Sequence, residues 1–142
     1  MIKILFICHG NICRSPMAEF VMKDLVKKAG LEEQFQITSA AVSREEIGNP
    51  VYPPARRELS KHGIACDGHA AHQITKAEYA ASDRVYYMDR SNARYLSRLL
   101  PDTEKCFPLL SRDVADPWYT GDFAQTWADI LEGCKKILEE FT

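Results

Sequence analysis

Short apolar runs alternate along the chain with longer segments in which apolar residues return every three or four positions. Residues 2–7 are β-branched and apolar, the pattern of a buried strand. A polar, glycine-containing loop follows over residues 8–15. Ser15-Pro16 then predicts a helix start, with Ser as N-cap and Pro in the first turn. Met17, Phe20, Val21, Leu25 and Val26 give that helix an apolar stripe, and Gly30 ends it. Residues 35–40 read as a second strand, and residues 41–54, with Gly48, Pro50, Pro53 and Pro54, as a long polar connection. A short helix is predicted over 54–62, stopped by Gly63. Thr75-x-x-Glu78 has the spacing of a capping box and opens a helical turn or two, to residue 81. Residues 83–88 make a third strand, 91–100 a helix ended by Pro101, and 105–109 a fourth strand. A loop over 111–122 leads to a last helix, where Phe123, Trp127, Ile130, Leu131, Cys134, Ile137, Leu138 and Phe141 recur at helical steps. Strands alternating with helices predict an α/β fold whose parallel sheet is covered on both faces. No repeat, low-complexity tract or linker breaks this order.

Composition narrows the picture. A chain of 142 residues predicts one domain over 1–142 and buries about 68–70% of its unfolded surface, enough for a core without staples. With 46% hydrophobic and 27% charged residues, it is not a disordered chain. Lys plus Arg number 18 and Asp plus Glu 20, so no basic surplus points to nucleic acid or an anionic membrane. No apolar run approaches the roughly 20 residues of a membrane span, and the N-terminal run is too short for a secretory signal. Cysteines 8, 13, 66, 106 and 134 are an odd set without the spacing of a disulfide scaffold, which predicts a reduced chain in the cytoplasm.

The loop after the first strand carries the chemistry. In open parallel sheets ligands bind at the carboxyl ends of strands, near the topological switch, and the first strand is usually central. The residues Cys8-His9-Gly10-Asn11-Ile12-Cys13-Arg14-Ser15 would lie there and run into a helix N-terminus, where backbone N–H groups and the helix dipole favour an anion such as phosphate. Gly10 is expected to take φ > 0, and Asn11 tolerates the left-handed region. Arg14 can clamp two phosphate oxygens with its planar fork. Cys8 would stand at the loop's start, and the field that attracts phosphate also favours its thiolate, a nucleophile below a bound phosphoryl group. A nucleotide-binding phosphate loop is excluded because no Gly-Lys-Ser/Thr follows.

The run Ile7-Cys8-His9-Gly10-Asn11-Ile12-Cys13-Arg14-Ser15-Pro16 resembles the signature of low-molecular-weight protein tyrosine phosphatases. Further segments match in the family's order: residues 38–43 and 47–50, 69–75, 88–92, and Asp116-Pro117-Trp118-Tyr119. The resemblance implies a four-stranded parallel sheet in the order 2-1-3-4 and a phosphocysteine formed on Cys8. It implies that Arg14 and the loop amides hold the phosphoryl oxygens, and that Asp116 protonates the leaving group. Asn11, Ser15, Ser39 and His69 would form a supporting network, with Asp89 orienting Arg14. Ile12, Trp118 and Tyr119 would wall the substrate cleft. Glu45 stands where the family often has an aromatic residue, and His72 where it often has arginine. Cys13, five residues after Cys8 in a curled loop, is a candidate redox partner for it. The implied enzyme needs no metal and no cofactor, acts as a monomer on phosphotyrosine proteins or peptides, and works in the cytoplasm, with signal-independent export left open.

Three other readings stay open at this stage. An arsenate reductase on the same fold would need two further cysteines close together after the third strand, where only Cys106 stands nearby. An arginine-phosphate phosphatase has a small polar residue in place of Ile12. A non-enzymatic phosphocysteine carrier domain lacks the clamping arginine and the proton donor, positions filled here by Arg14 and Asp116.

Overall fold

The computed structural model describes residues 1–142. Its centre is the strand of greatest apolar content, β1 (Ile2–Cys8). The chain continues through α1 (Arg14–Lys28), a 3-10 turn at Glu32–Gln34, β2 (Phe35–Ala41), α2 (Pro53–Lys61) and α3 (Lys76–Ala81). Then come β3 (Arg84–Tyr87), α4 (Arg90–Leu99), β4 (Cys106–Pro108), α5 (Pro117–Thr120) and α6 (Phe123–Glu140). The sheet is wholly parallel, in the order β2-β1-β3-β4. Successive strand side chains point to opposite faces. Ile4, Phe6 and Cys8 of β1 therefore pack towards α1, α2 and α6, while Leu5 and Ile7 pack with Tyr79 of α3 and Leu96 of α4. Both faces are covered, as the alternation predicts. No helix is long and apolar enough to cross a membrane.

Sheet order fixes where the site lies. From β1 the chain turns to β2 on one side, and β3 lies on the other, so the switch point falls at the carboxyl end of β1. Residues 9–13 leave from that point.

The elements differ from the sequence pattern in three informative places. Helix α1 begins at Arg14, with Cys13 in the N-cap position and no side-chain cap, so Ser15 is not the N-cap. Its hydroxyl is committed to the site instead. Residues 111–122, read as loop, contain the single turn α5, started by the Asp116 side chain on the Trp118 N–H and closed by Gly121 at φ 71°. The capping box at Thr75 and Glu78 is present, and Asp89 and Asn92 form a second one at α4. Strand and helix ends otherwise shift by one or two residues, the ordinary uncertainty of element boundaries.

Candidate active site

Asn11 is the one non-glycine residue in the left-handed region, at φ 62°, and it is fully buried. Gly10 does not take positive φ, contrary to expectation. Glycine is favoured there by space, because a Cβ would approach Glu46 Cγ to 3.3 Å. A left-handed residue costs about 1–3 kcal/mol and persists only where its surroundings hold it. Four hydrogen bonds do so. Asn11 Nδ2 donates to Ser15 Oγ at 2.8 Å and to Ser39 Oγ at 3.0 Å. Its Oδ1 accepts from the His72 N–H at 3.3 Å, and its carbonyl bonds His69 Nε2 at 2.7 Å.

This network has a direction. Ser39 Oγ donates to Glu19 Oε1 at 2.6 Å, which uses its one proton, so it accepts from Asn11. Ser15 Oγ also accepts from Asn11 and keeps its proton for Cys8 Sγ, 3.1 Å away. The Asn11 N–H donates to the same sulfur at 3.3 Å. Two donors thus converge on Sγ. The sequence reading missed Glu19. Placed four residues before Lys23, it reads as a surface ion pair; that pair exists at 2.6 Å, but the carboxylate is buried and its other oxygen holds Ser39.

Arg14 is 2% exposed. Its Nη1 donates to Asp89 Oδ2 at 2.6 Å and to the Val114 carbonyl at 2.9 Å, and its Nη2 to Asp116 Oδ2 at 3.4 Å. Burial works to lower the pKa of the guanidinium, but the charges of Cys8, Asp89 and Asp116 outweigh it and push it above its ordinary value.

Cys8, Arg14 and Asp116 line a cleft of about 220 Å³ together with His9, Ile12 and Cys13. Trp118 and Tyr119 form one wall, 54% and 85% exposed, with Trp118 leaning on Tyr52 at 4.9 Å between ring centroids. The polar 41–54 segment gave no signal for Tyr52. Glu45 and Glu46 line the cleft as well, and Glu45 Oε2 meets His9 Nε2 at 3.3 Å. Cys13 packs with Ile12 and Ala71; burial, reinforced by the charge of Cys8, raises its thiol far above the ordinary range. The structure thus brings Cys8, Arg14, Asp116, Ile12, Cys13, Glu45, Trp118 and Tyr119 to one cleft, with Asn11, Ser15, Ser39, His69 and Asp89 beneath or beside it.

Comparison with known proteins gives the same result across the whole chain. The sequence model of the low molecular weight phosphotyrosine protein phosphatase family matches residues 3–142. The chain is 37% identical over 147 residues to low molecular weight protein-tyrosine-phosphatase YfkJ of Bacillus subtilis, covering 97% of this chain and 94% of that one. It is 36% identical over 149 residues to the Homo sapiens low molecular weight phosphotyrosine protein phosphatase, covering 96% and 94%. The crystal structure of the Bacillus enzyme superposes with a TM-score of 0.95 over 99% of this chain and 94% of that one. A drosophila arginine phosphatase shares the fold at 29% identity, with a TM-score of 0.88 over 99% and 98%. A cysteine loop at the switch point and a match from one end of the chain to the other lead to one assignment: the chain belongs to the low molecular weight phosphotyrosine protein phosphatase family.

Proposed function

We propose that residues 1–142 act as a phosphatase domain that hydrolyses phosphotyrosine in cytoplasmic proteins or peptides through a phosphocysteine on Cys8. The reading is carried by one observation: Arg14 and Asp116, 102 residues apart, meet at 3.4 Å in the cleft that Cys8 opens into. Cys8 Sγ attacks phosphorus, forming the S–P bond as the P–O bond to the tyrosine oxygen breaks. Arg14 and the loop N–H groups hold the three equatorial oxygens as charge builds on them. Asp116 gives its proton to the departing phenolate. Water then attacks phosphorus, Asp116 takes its proton, and Cys8 leaves as a thiolate stabilised by Ser15. Each step is assigned to side chains of the chain itself, acting as a monomer.

The other readings fit the cleft less well. Cys134 is fully buried in α6 and Cys106 sits on β4, so neither forms a cysteine pair of the kind an arsenate reductase needs. Ile12 offers a phenyl ring an apolar edge that a phosphoguanidinium does not require. Arg14 and Asp116 serve a turnover cycle that a carrier domain lacks.

Matched peptides carrying phosphotyrosine, phosphoarginine or phosphoserine test the proposal by their kcat/KM. Phosphotyrosine should lead, and Cys8→Ser should abolish turnover while inorganic phosphate still binds. Equal or higher kcat/KM on phosphoarginine, or turnover by Cys8→Ser, would overturn it.

A further inference from the structure

Asp129 is a carboxylate on the buried face of α6, beside Thr126, Ile130, Gly133 and Cys134. Helical periodicity calls for an apolar residue there, and an unpaired buried charge would be costly. Its Oδ1 accepts from Arg112 Nη2 at 2.9 Å and from Gln125 Nε2 at 2.9 Å, and the same Arg112 nitrogen reaches Glu132 Oε1 at 3.1 Å. Arg112 belongs to neither a helix nor a strand. It lies in the segment between β4 and α5 that ends in Asp116.

That segment is held at several points along its length. The Leu109 N–H donates to the Tyr87 carbonyl at 2.9 Å, and the Leu109 side chain lies so close to α6 that Gly133 has no room for a Cβ. Asp113 Oδ1 accepts from the Arg90 N–H at 3.2 Å. The Val114 N–H donates to the Met88 carbonyl at 2.8 Å, while its own carbonyl accepts from Arg14. Arg112 is the only one of these ties that joins the segment to α6 through charge. Four residues further on stands Asp116, whose one carboxylate oxygen starts α5 and whose other faces Arg14.

We infer that the Arg112–Asp129 ion pair positions the proton donor Asp116, so that Arg112 is a positioning residue for leaving-group protonation rather than a surface charge alone. The inference rests on the acid role proposed above for Asp116. Removing the tie leaves the cysteine loop intact, because Glu19 holds Ser39, His69 holds Asn11 and Asn11 in turn holds Ser15, while Asp89, outside the segment, keeps Arg14 in place. It frees the segment that must carry a proton to within hydrogen-bond distance of the leaving oxygen, where displacements near 1 Å cost up to about 10²-fold.

The test is the leaving-group dependence of kcat/KM, which reports the step in which the phenolate departs. Arg112→Met keeps the aliphatic stem and removes the charge. It should lower kcat/KM on phenyl phosphate about tenfold, a fraction of the 10²–10⁴ that general acid catalysis supplies. On p-nitrophenyl phosphate, whose leaving group needs little protonation, the loss should stay under about twofold. Inhibition by inorganic phosphate should be unchanged, and Arg112→Lys should recover most of the phenyl phosphate rate. Asp129→Asn, which keeps shape and a polar atom, should repeat the Arg112→Met pattern. Asp116→Asn in the same series shows the full effect of losing the acid. If it steepens the leaving-group dependence and Arg112→Met does not, or if Arg112→Met slows both substrates equally, the positioning role is wrong and the acid stands. If Asp116→Asn itself leaves the dependence flat, the acid assignment fails and this inference with it.

Discussion

Arg14 and Asp89 meet at 2.6 Å, and the same aspartate starts α4 by accepting the Asn92 N–H through its other oxygen at 2.8 Å. One carboxylate thus orients the buried guanidinium and anchors a helix, and the two duties separate by substitution. Asp89→Asn keeps a good N-cap and removes the charge, so thermal stability should stay within about 0.5 kcal/mol of wild type at the cap. The charge-assisted bond to Arg14 is lost, because the amide nitrogen that replaces Oδ2 is itself a donor, and kcat/KM should fall about tenfold or more. Asp89→Ala should add the cap loss of about 1 kcal/mol. Paired melting curves and kinetics check both; an Asp89→Asn enzyme with unchanged kcat/KM would remove Asp89 from the Arg14 site.

Much of this arrangement was legible in the sequence because it is local. The loop between β1 and α1 encodes its own path: Asn11 for the left-handed turn, Arg14 and Ser15 in the first helical turn. The strand–helix alternation implied the sheet that places it. What escaped is what depends on distant partners. The helix pattern alone makes Ser15 an N-cap, and only the family resemblance places its hydroxyl in the network with Asn11, where it also meets Cys8. Gly10 reads as a positive-φ glycine, but its constraint is Glu46, brought alongside from the polar 41–54 segment. Glu19 reads as half of a surface ion pair, and only the packed helix shows its carboxylate turned inward. Spacing cannot show which face a helix presents when a polar residue takes an apolar place.

Glu45 gives the cleft mouth a negative edge that only His9, at 3.3 Å, partly answers; its own side chain is 68% exposed. Peptides with a basic residue beside the phosphotyrosine should therefore have higher kcat/KM than acidic ones. An exposed pair contributes about 0.2–1 kcal/mol, so the preference should be about two- to fivefold at low salt and shrink as salt is added. Glu45→Gln should erase it without changing kcat on p-nitrophenyl phosphate. A preference that survives in Glu45→Gln, or that ignores salt, would place its origin elsewhere.

His72 donates its backbone N–H to Asn11 and pairs through its ring with Glu78 at 2.7 Å. The hydrogen bond to Glu78 raises the imidazole above its ordinary 6.5, against the opposing effect of burial. Burial works to raise Glu78, but the bonds from His72 and Thr75 outweigh it and hold it below its ordinary 4.5. A raised histidine stabilises the fold fully below its unfolded pKa and loses that contribution as pH rises through the folded value. A depressed glutamate does so above its unfolded pKa and loses it as pH falls. Both contributions are present between 4.5 and 6.5 and fade on either side. His72→Gln should accordingly cost more stability at pH 5.5 than at pH 8.5. Because the pair is partly exposed, the difference should be small and reduced by salt. Urea melts at the two pH values measure it, and an equal or reversed cost would show that the ring is not held as a cation.

Cys13 lines the cleft beside Cys8 yet packs among Ile12 and Ala71, with a thiol that burial and the Cys8 charge keep protonated. Peroxide should therefore reach Cys8 first: its thiolate takes an oxygen and becomes a sulfenic acid. That step removes the charge that helped to raise Cys13. The Cys13 sulfur can then attack Cys8, forming the disulfide and expelling water. The remaining effect of burial makes this slower than attack by a solvent thiol, but the thiol is already in place. Enzyme inactivated by modest peroxide should regain full activity with dithiothreitol, and mass spectrometry should find a Cys8–Cys13 bond. Cys13→Ser should be inactivated at a similar rate, since the attacked sulfur is unchanged, but recover poorly as Cys8 passes to sulfinic acid. Bound inorganic phosphate should slow inactivation of both by covering the sulfur. If Cys13→Ser recovers as well as wild type, or the oxidised protein carries a bond to Cys66 or only higher oxides of Cys8, then Cys13 is a packing residue of the loop and not its redox partner.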